Sequence, residues 1–322
     1  MAESTHRVEV IRIGTIEKHP NADALGIVHV YGYTCCVRLA DFKPGDLAAY
    51  IVPDSVVPDT PAFAFLQGQR RIKVRRLRGV FSQGLLIKAP PGAREGDDVA
   101  GLLGVTRYEP PCQARTNGTP EPGPGYSSPK YDVESWHRYK HLLVEGERIL
   151  VTEKIHGASA RFTWSGGRLY CGSRADWLRE DAENLWWVAA ASNPWIEEWT
   201  RAHEGLVLHG EVFGRVQDLR YGVGPGGKPR FLVFDVFDPA AGKWKPWQFL
   251  ADDLPAEHLV PLVHLGPYTE ANLVDLSRGA SRVPGADNLR EGVVVQPVED
   301  RFDAEIGRVK LKVVSDEYLE RS

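Results

Sequence analysis

The residues of this chain with chemical potential are lysines and carboxylates at short spacings. In "VTEKIHGASARF" (151–162), Lys154 stands two residues before His156 and three before Gly157. Such a lysine is either a nucleophile or one more charge at a strand end, and the K-x-H-G spacing alone is common enough to arise by accident. As a nucleophile it would have to be neutral, although a free lysine titrates near ~10.4; nearby cations or desolvation lower that value. In "VKLKV" (309–313), Lys310 and Lys312 are two apart, so on a strand they share one face while Val309, Leu311 and Val313 take the other. That cationic comb fits a phosphate; the alternative is an amphipathic edge strand with solvated lysines. Glu211 in "HGEVFG" (209–214) follows the apolar run "GLVLHG" and emerges at a strand end beside a flexible glycine. Glu291 opens "EGVVV", and either glutamate taken singly could equally be a surface ion-pair partner.

Short apolar runs must position these groups. "GERILVTEKI", "ARFTW", "LVLHGEVF", "PRFLVFDVF", "REGVVVQPV" and "GRVKLKVVS" read as strands, alternating with the amphipathic stretches "DWLREDAENLWWVAAAS" and "NPWIEEWTRAHE". The second part of the chain is therefore α+β, with antiparallel sheets carrying helices. Before it, Val- and Ile-rich runs separated by "HPNAD", "FKPGD" and "PPGAREGDD" turns predict a small antiparallel barrel. Pro, Gly, Ser and Thr crowd together in between. The expected organisation is a barrel module over 1–107, a linker over 108–129 and a second domain over 130–322, with no internal repeat and no heptads.

A chain of 322 residues exceeds one ordinary core and predicts two domains. Its 39 basic and 43 acidic residues leave a net charge of −4, which excludes a uniformly basic nucleic-acid coat and leaves room for a local patch. Such a patch is present at 70–78, "RRIKVRRLR", where Arg70, Arg71, Lys73, Arg75, Arg76 and Arg78 stand together without an acid. The segment suits a groove that tracks phosphates, or else a solvated basic hairpin. Cys35, Cys36, Cys112 and Cys171 form no CxxC pair, and adjacent Cys35 and Cys36 are poor disulfide partners, which predicts a reducing setting. The N-terminal stretch has no signal-type apolar segment and no run is long enough for a membrane helix, so a cytoplasmic protein without membrane contact is expected.

The ordered series "EKIHGAS", "CGSR" (171–174), "HGEVFG", "FLVFDVF" (231–237), "REGVVV" and "VKLKV" resembles motifs I, Ia, III, IIIa, IV and V of the covalent nucleotidyltransferases, the ATP-dependent DNA and RNA ligases and mRNA capping enzymes. The resemblance spans nearly all of 130–315 and implies an ATP-grasp-like nucleotidyltransferase domain. It assigns Lys154 as the nucleophile that becomes lysyl-AMP, with Lys310 and Lys312 on the α-phosphate. It also puts Arg174 near the 5′-phosphate or α-phosphate, Glu211 on the ribose and Phe234 against the purine. Glu153, Ile155, His156 and Gly157 complete the expected nucleotide pocket. Glu291, with Asp235 as a second acid, is implied for Mg²⁺ or Mn²⁺, directly or through water; hard oxygen donors suit these ions. Arginine suits a phosphate because its planar fork binds two oxygens.

His156 favours the RNA ligase branch over DNA ligases, which show K-x-D-G, and "KYDVESWHRY" (130–139) resembles that branch's entry segment. Ala158 and Ser159 depart from its usual pattern and leave end specificity open. The sequence ends shortly after motif V, which leaves no room for the C-terminal OB domain that capping enzymes need. Residues 8–105 resemble the OB fold of tRNA-binding modules. Together these features are similar to RNA ligases with an N-terminal OB module and a minimal ligase domain. That similarity implies a monomer that seals 3′-OH/5′-phosphate nicks in duplexes with an RNA 3′-OH end. The alternatives are a DNA-type nick sealer and a non-catalytic OB-fold RNA-binding protein.

Overall fold

The computed structural model describes residues 6–108 and 118–321. Cys112 and the 109–117 part of the expected linker lie outside the described residues. The chain divides into two compact units: 1–109 with 135–141 and 316–322, and 110–134 with 142–315.

In the first unit, β1 (Val8–Arg12), β2 (Leu47–Ile51) and β3 (Leu85–Lys88) form an antiparallel sheet with β2 in the middle. The sequence of β2, "LAAYI", has no charge because both its faces are covered. Ala49 and Ile51 join one hydrophobic cluster with Val8, Val10 and Phe63, while Ala48 and Tyr50 join another with Val28, Cys35 and Phe42. Period-2 alternation on a doubly covered strand produces these two cores. The short helix Trp136–Tyr139 and the helix Asp316–Arg321 belong to this unit, the latter through a 2.5 Å bond from the Gln83 amide to Asp316.

The second unit contains β4 (Arg148–Lys154), β5 (Gly157–Ser165), β6 (Arg168–Ser173), β7 (Val207–Phe213), β8 (Arg230–Asp238), β9 (Leu262–Pro267), β10 (Gly292–Pro297) and β11 (Leu311–Val314). One sheet carries the order β9-β4-β10-β11 and another the order β6-β5-β7-β8, antiparallel throughout. Helices α1 (Leu185–Ser192) and α2 (Trp195–Ala202) pack on one face of the second sheet, against Phe162, Leu208, Val212 and Phe231. The stretch read as one amphipathic segment from Asp176 is shorter as a helix: Trp177–Leu178 is a strand, and Asn184 caps α1 by accepting from the Trp186 amide at 3.2 Å.

β8 departs from simple alternation. Its pairing with β7 slips between His209 and Gly210, so His209 faces Asp235 while Gly210 faces Val233, and Phe234 is the extra residue of a bulge. The core-facing set becomes Phe231, Val233 and Val236. Regular alternation would put Asp235 on the face of Phe231 and Val233; the bulge turns it to the opposite face.

Candidate active site

Lys154 ends β4 and Gly157, three residues on, starts β5, so Ile155 and His156 form the link between the two sheets. Both flanks of this link need glycine. A Cβ on Gly157 would strike the Val212 carbonyl, and one on Gly292, the register partner of Lys154, would strike the Val313 carbonyl. The tight pairing of β4, β10 and β11 brings Glu291, at the entry to β10, beside the lysine. Lys154 Nζ lies 2.8 Å from both Glu291 oxygens, and His156 Nδ1 lies 3.5 Å from Oε2. The other ring nitrogen of His156, Nε2, is 2.6 Å from Asp218.

Charge follows from this geometry. Burial opposes the ionised Glu291, yet Lys154 and His156 outweigh it and hold its pKa down to about 2. Burial likewise disfavours a charged His156, but Glu291 and Asp218 raise it to about 9. Glu211, on the same side as the register partner of Ser159, is pushed up to about 7 by burial, with Glu291 adding to the rise and Lys154 opposing it. Two carboxylates of hard oxygen donors thus converge on one ammonium, a donor set that fits a Mg²⁺ or Mn²⁺ ion. Among the described residues, no group of three or more His, Cys, Asp and Glu gathers as a closed metal cage.

A second cluster surrounds Asp235, whose Oδ2 accepts from the Tyr131 hydroxyl (2.6 Å), Arg308 (2.6 Å) and Lys310 (2.8 Å). Asp235 is 3% exposed. Burial opposes its ionised form, but the two cations prevail and hold the carboxyl below its ordinary value. Asp235, expected as a second acid for the metal, is paired here with two protein cations. Lys310 Nζ also lies 3.5 Å from the Phe234 carbonyl, and the Tyr131 ring packs on Phe234 with centroids 4.4 Å apart.

Lys312, register partner of Val294, shares a row with Thr152 and hence a sheet face with Lys154. The opposite face, with Glu153, Val293 and Val313, is buried. Glu153, expected in the pocket, therefore points away from it, where its carboxylate accepts from Ser281 Oγ and the Arg282 amide, each at 2.6 Å. Ile155 is buried at 4% exposure and contributes packing to the link. Arg174 extends from β6 and pairs with Asp132 at 3.0 Å.

In the first unit, the six basic residues of 70–78 differ in their partners and exposure. Arg71 is held by Asp54 (2.8 Å) beneath the Tyr108 ring, and Arg76 pairs with Glu320 (3.4 Å) while stacking on Phe81. Arg70 donates to the Val57 carbonyl and Arg75 to Gln69, Lys73 is half-buried, and Arg78 is exposed.

Sequence reasoning missed Gln217, Asp218, Tyr221 and Arg308. Tyr131 lay inside a quoted segment without being assigned. The run "VQDLRYG" and the cation two residues before Lys310 carry no local pattern that marks them.

A family model described as RNA ligase matches residues 147–314, and a model described as the PHA02142 OB-fold domain matches 7–89. No curated relative matches the sequence. Among solved structures, the chain is similar to Naegleria gruberi RNA ligase. An apo lysine-to-alanine mutant of that protein shows 26% identity and a TM-score of 0.81, over 99% of each chain. Another lysine-to-alanine mutant, with ATP and Mn, matches at 26% identity and 0.81 over 98% of each chain. A glutamate-to-alanine mutant with AMP and Mn matches at 25% and 0.81 over 99% of each. With an OB-fold N-terminal module and a mixed α+β second unit whose motif residues meet around Lys154, the chain belongs to the RNA ligase family.

Proposed function

We propose that this RNA ligase uses ATP, with Lys154 as the residue that carries AMP. The observation behind this reading is that Glu291 meets both Lys154, which ends β4, and His156 at hydrogen-bond or ion-pair distance, while Glu211 interacts electrostatically with Lys154 and Lys312 shares its sheet face. The solved Naegleria structures with ATP or AMP and Mn support ATP and a divalent cation as the cofactors. Glu291 and Glu211 would hold that cation, directly or through water. When bound, it supplies a positive charge that competes for Glu291 and neutralises the triphosphate.

Lys154 shifts from ammonium to nucleophile as its carboxylate partner is drawn off. Its Nζ forms a bond to the α-phosphorus, the bond from that phosphorus to pyrophosphate breaks, and the lysine proton leaves to solvent. Lys312, on the same face, stabilises charge on the α-phosphate. Lys310 shares its charge with Asp235 and reaches the nucleotide from the side of Phe234. Arg174 exchanges Asp132 for a 5′-phosphate. AMP then passes to that 5′ end, and an RNA 3′-OH displaces AMP to close the phosphodiester. A nicked duplex with an RNA 3′-OH end is the proposed substrate, and a monomer the proposed acting form. No described helix is long and apolar enough to cross a membrane.

Incubation with α-labelled ATP and Mg²⁺ or Mn²⁺ tests the reading. Wild type should become covalently labelled and Lys154→Ala should not; labelling that survives the substitution removes Lys154 from the role.

A further inference from the structure

Three residues of one loop grip one dipeptide. Beyond β7, in 214–222, the Gln217 side-chain amide donates to the Gly157 carbonyl, and the Tyr221 hydroxyl accepts the His156 backbone N–H at 2.7 Å. The Asp218 carboxylate meets His156 Nε2 at 2.6 Å. Val216 and Leu219, each 1% exposed, anchor the loop between these contacts. The loop is also strained: Arg215 and Tyr221 lie in the left-handed region at φ 50° and 52°. Such conformations cost about 1–3 kcal/mol each in non-glycine residues and persist where the surroundings over-determine them, typically beside functional groups. At its far end, a Cβ on Gly222 would strike the Gly285 carbonyl, so the loop packs there against backbone with no room for a side chain.

This grip fixes which way the His156 ring faces. With Nε2 held by Asp218, Nδ1 is presented to Glu291 Oε2, the same oxygen that lies 2.8 Å from Lys154 Nζ. We propose that Asp218 is a positioning residue for lysine adenylylation: it holds His156 so that the ring shares Glu291 with Lys154 and loosens the carboxylate's hold on the attacking amine. Without Asp218 the imidazole turns away and Glu291 closes on the lysine alone. The arrangement also accounts for histidine at position 156 in this chain, since an acid there would face Asp218 and Glu291 together.

The inference rests on Lys154 being the nucleophile, so the test separates the two. Full-length wild type, Asp218→Ala, Asp218→Glu, His156→Ala and the Asp218→Ala/His156→Ala double variant are compared in two assays. One is the rate of labelling by α-labelled ATP. The other is sealing of a nick whose 5′ end already carries AMP, which bypasses Lys154. Asp218→Ala should slow labelling about 10- to 100-fold, as loss of an orienting partner does elsewhere, and should slow sealing at least about tenfold less. Asp218→Glu should recover part of the labelling rate. In the His156→Ala background, Asp218→Ala should change labelling less than about twofold, because its effect runs through the ring. Equal loss in both assays, including loss through misfolding, or additive effects of the two substitutions would overturn the proposal. Absence of labelling in wild type would instead overturn the role of Lys154.

Discussion

Glu291 and Asp235 sit in clusters built from the same parts, one carboxylate and two cations, yet the two differ in access to solvent. The side chains of Lys154 and Glu291 keep 27% and 10% exposure, and the lysine contacts both carboxylate oxygens. Asp235, Lys310 and Arg308 keep 4%, 8% and 9%, with the Tyr131 hydroxyl as a further donor on the same oxygen. The first cluster is open enough for a nucleotide and a cation to exchange partners. The second is more enclosed: Asp235 is compensated by Lys310 and Arg308, and Lys310 also extends toward Phe234. Access and donor count, not residue type, distinguish the two clusters.

Substitutions at the two carboxylates should break the likeness in different ways. Glu291→Gln is expected to lower the rate of lysine labelling about 10³-fold, the range seen when a preorganised electrostatic group is lost at a reacting centre, and to lose as well the stability that His156 draws from Glu291. Labelling retained at the wild-type rate in a folded Glu291→Gln protein would place Glu291 with the scaffold. Asp235→Asn should act chiefly on stability. It leaves Lys310 and Arg308 buried against a neutral amide, an uncompensated arrangement that costs about 3–5 kcal/mol, and urea unfolding should show it directly. If Asp235→Asn unfolds like wild type while labelling fails, Asp235 belongs with the reactive cluster.

The sequence could not draw this distinction, and the reason is local to β8. Glu291 opens an apolar run and Asp235 lies within one, and both are candidates for a metal. What sets Asp235 apart is the bulge at Phe234, one unpaired residue that leaves no mark in "FLVFDVF" and reverses the faces from there on. The motif order, the α+β class and the N-terminal OB module were legible because they depend on apolar periodicity and on glycines that the strands demand, such as Gly157 and Gly292. Glu153 was misplaced for the opposite reason: its neighbour Lys154 is in the site, but adjacent strand residues face apart. The grip of Asp218 and Tyr221 on His156 is tertiary, closing over 62 and 65 residues of sequence, so no spacing announced it.

Two histidines sharpen the comparison through pH. His156 belongs to the open cluster and is raised to about 9, so its contribution to stability is fully present below pH ~6.5 and is lost as pH rises through about 9. Its size is roughly 3 kcal/mol. His209, which faces Asp235 across the bulge, is depressed to about 3, first by burial and then by Arg161. There the unfolded state binds the proton more readily, so stability falls as pH drops from ~6.5 toward 3. Unfolding free energies of wild type and His156→Gln should therefore converge between pH 6.5 and 10. A gap that stays constant over that range would mean His156 is not held charged by Glu291 and Asp218.

The smallest effects are expected in the first unit, where cations are neither sealed nor built around one acid. Arg71 and Arg76 are engaged by Asp54 and Glu320, whereas Arg78 is exposed on a left-handed turn at φ 47° and Arg75 reaches only the neutral Gln69. If Arg75 and Arg78 touch backbone phosphates, Arg75→Ala and Arg78→Ala should each weaken binding of nicked duplex RNA a few-fold and lower the salt slope of binding by about one. Labelling by ATP alone should not change, because these side chains are not among the residues around Lys154. Arg71→Ala should behave differently: it removes an ion pair and a stacking contact to Tyr108, costing about 1 kcal/mol of stability, with no change in salt slope. Equal salt slopes for wild type, Arg75→Ala and Arg78→Ala would show that the basic run is a solvated hairpin, and that the charge density evident in the sequence marks solubility rather than a nucleic-acid groove.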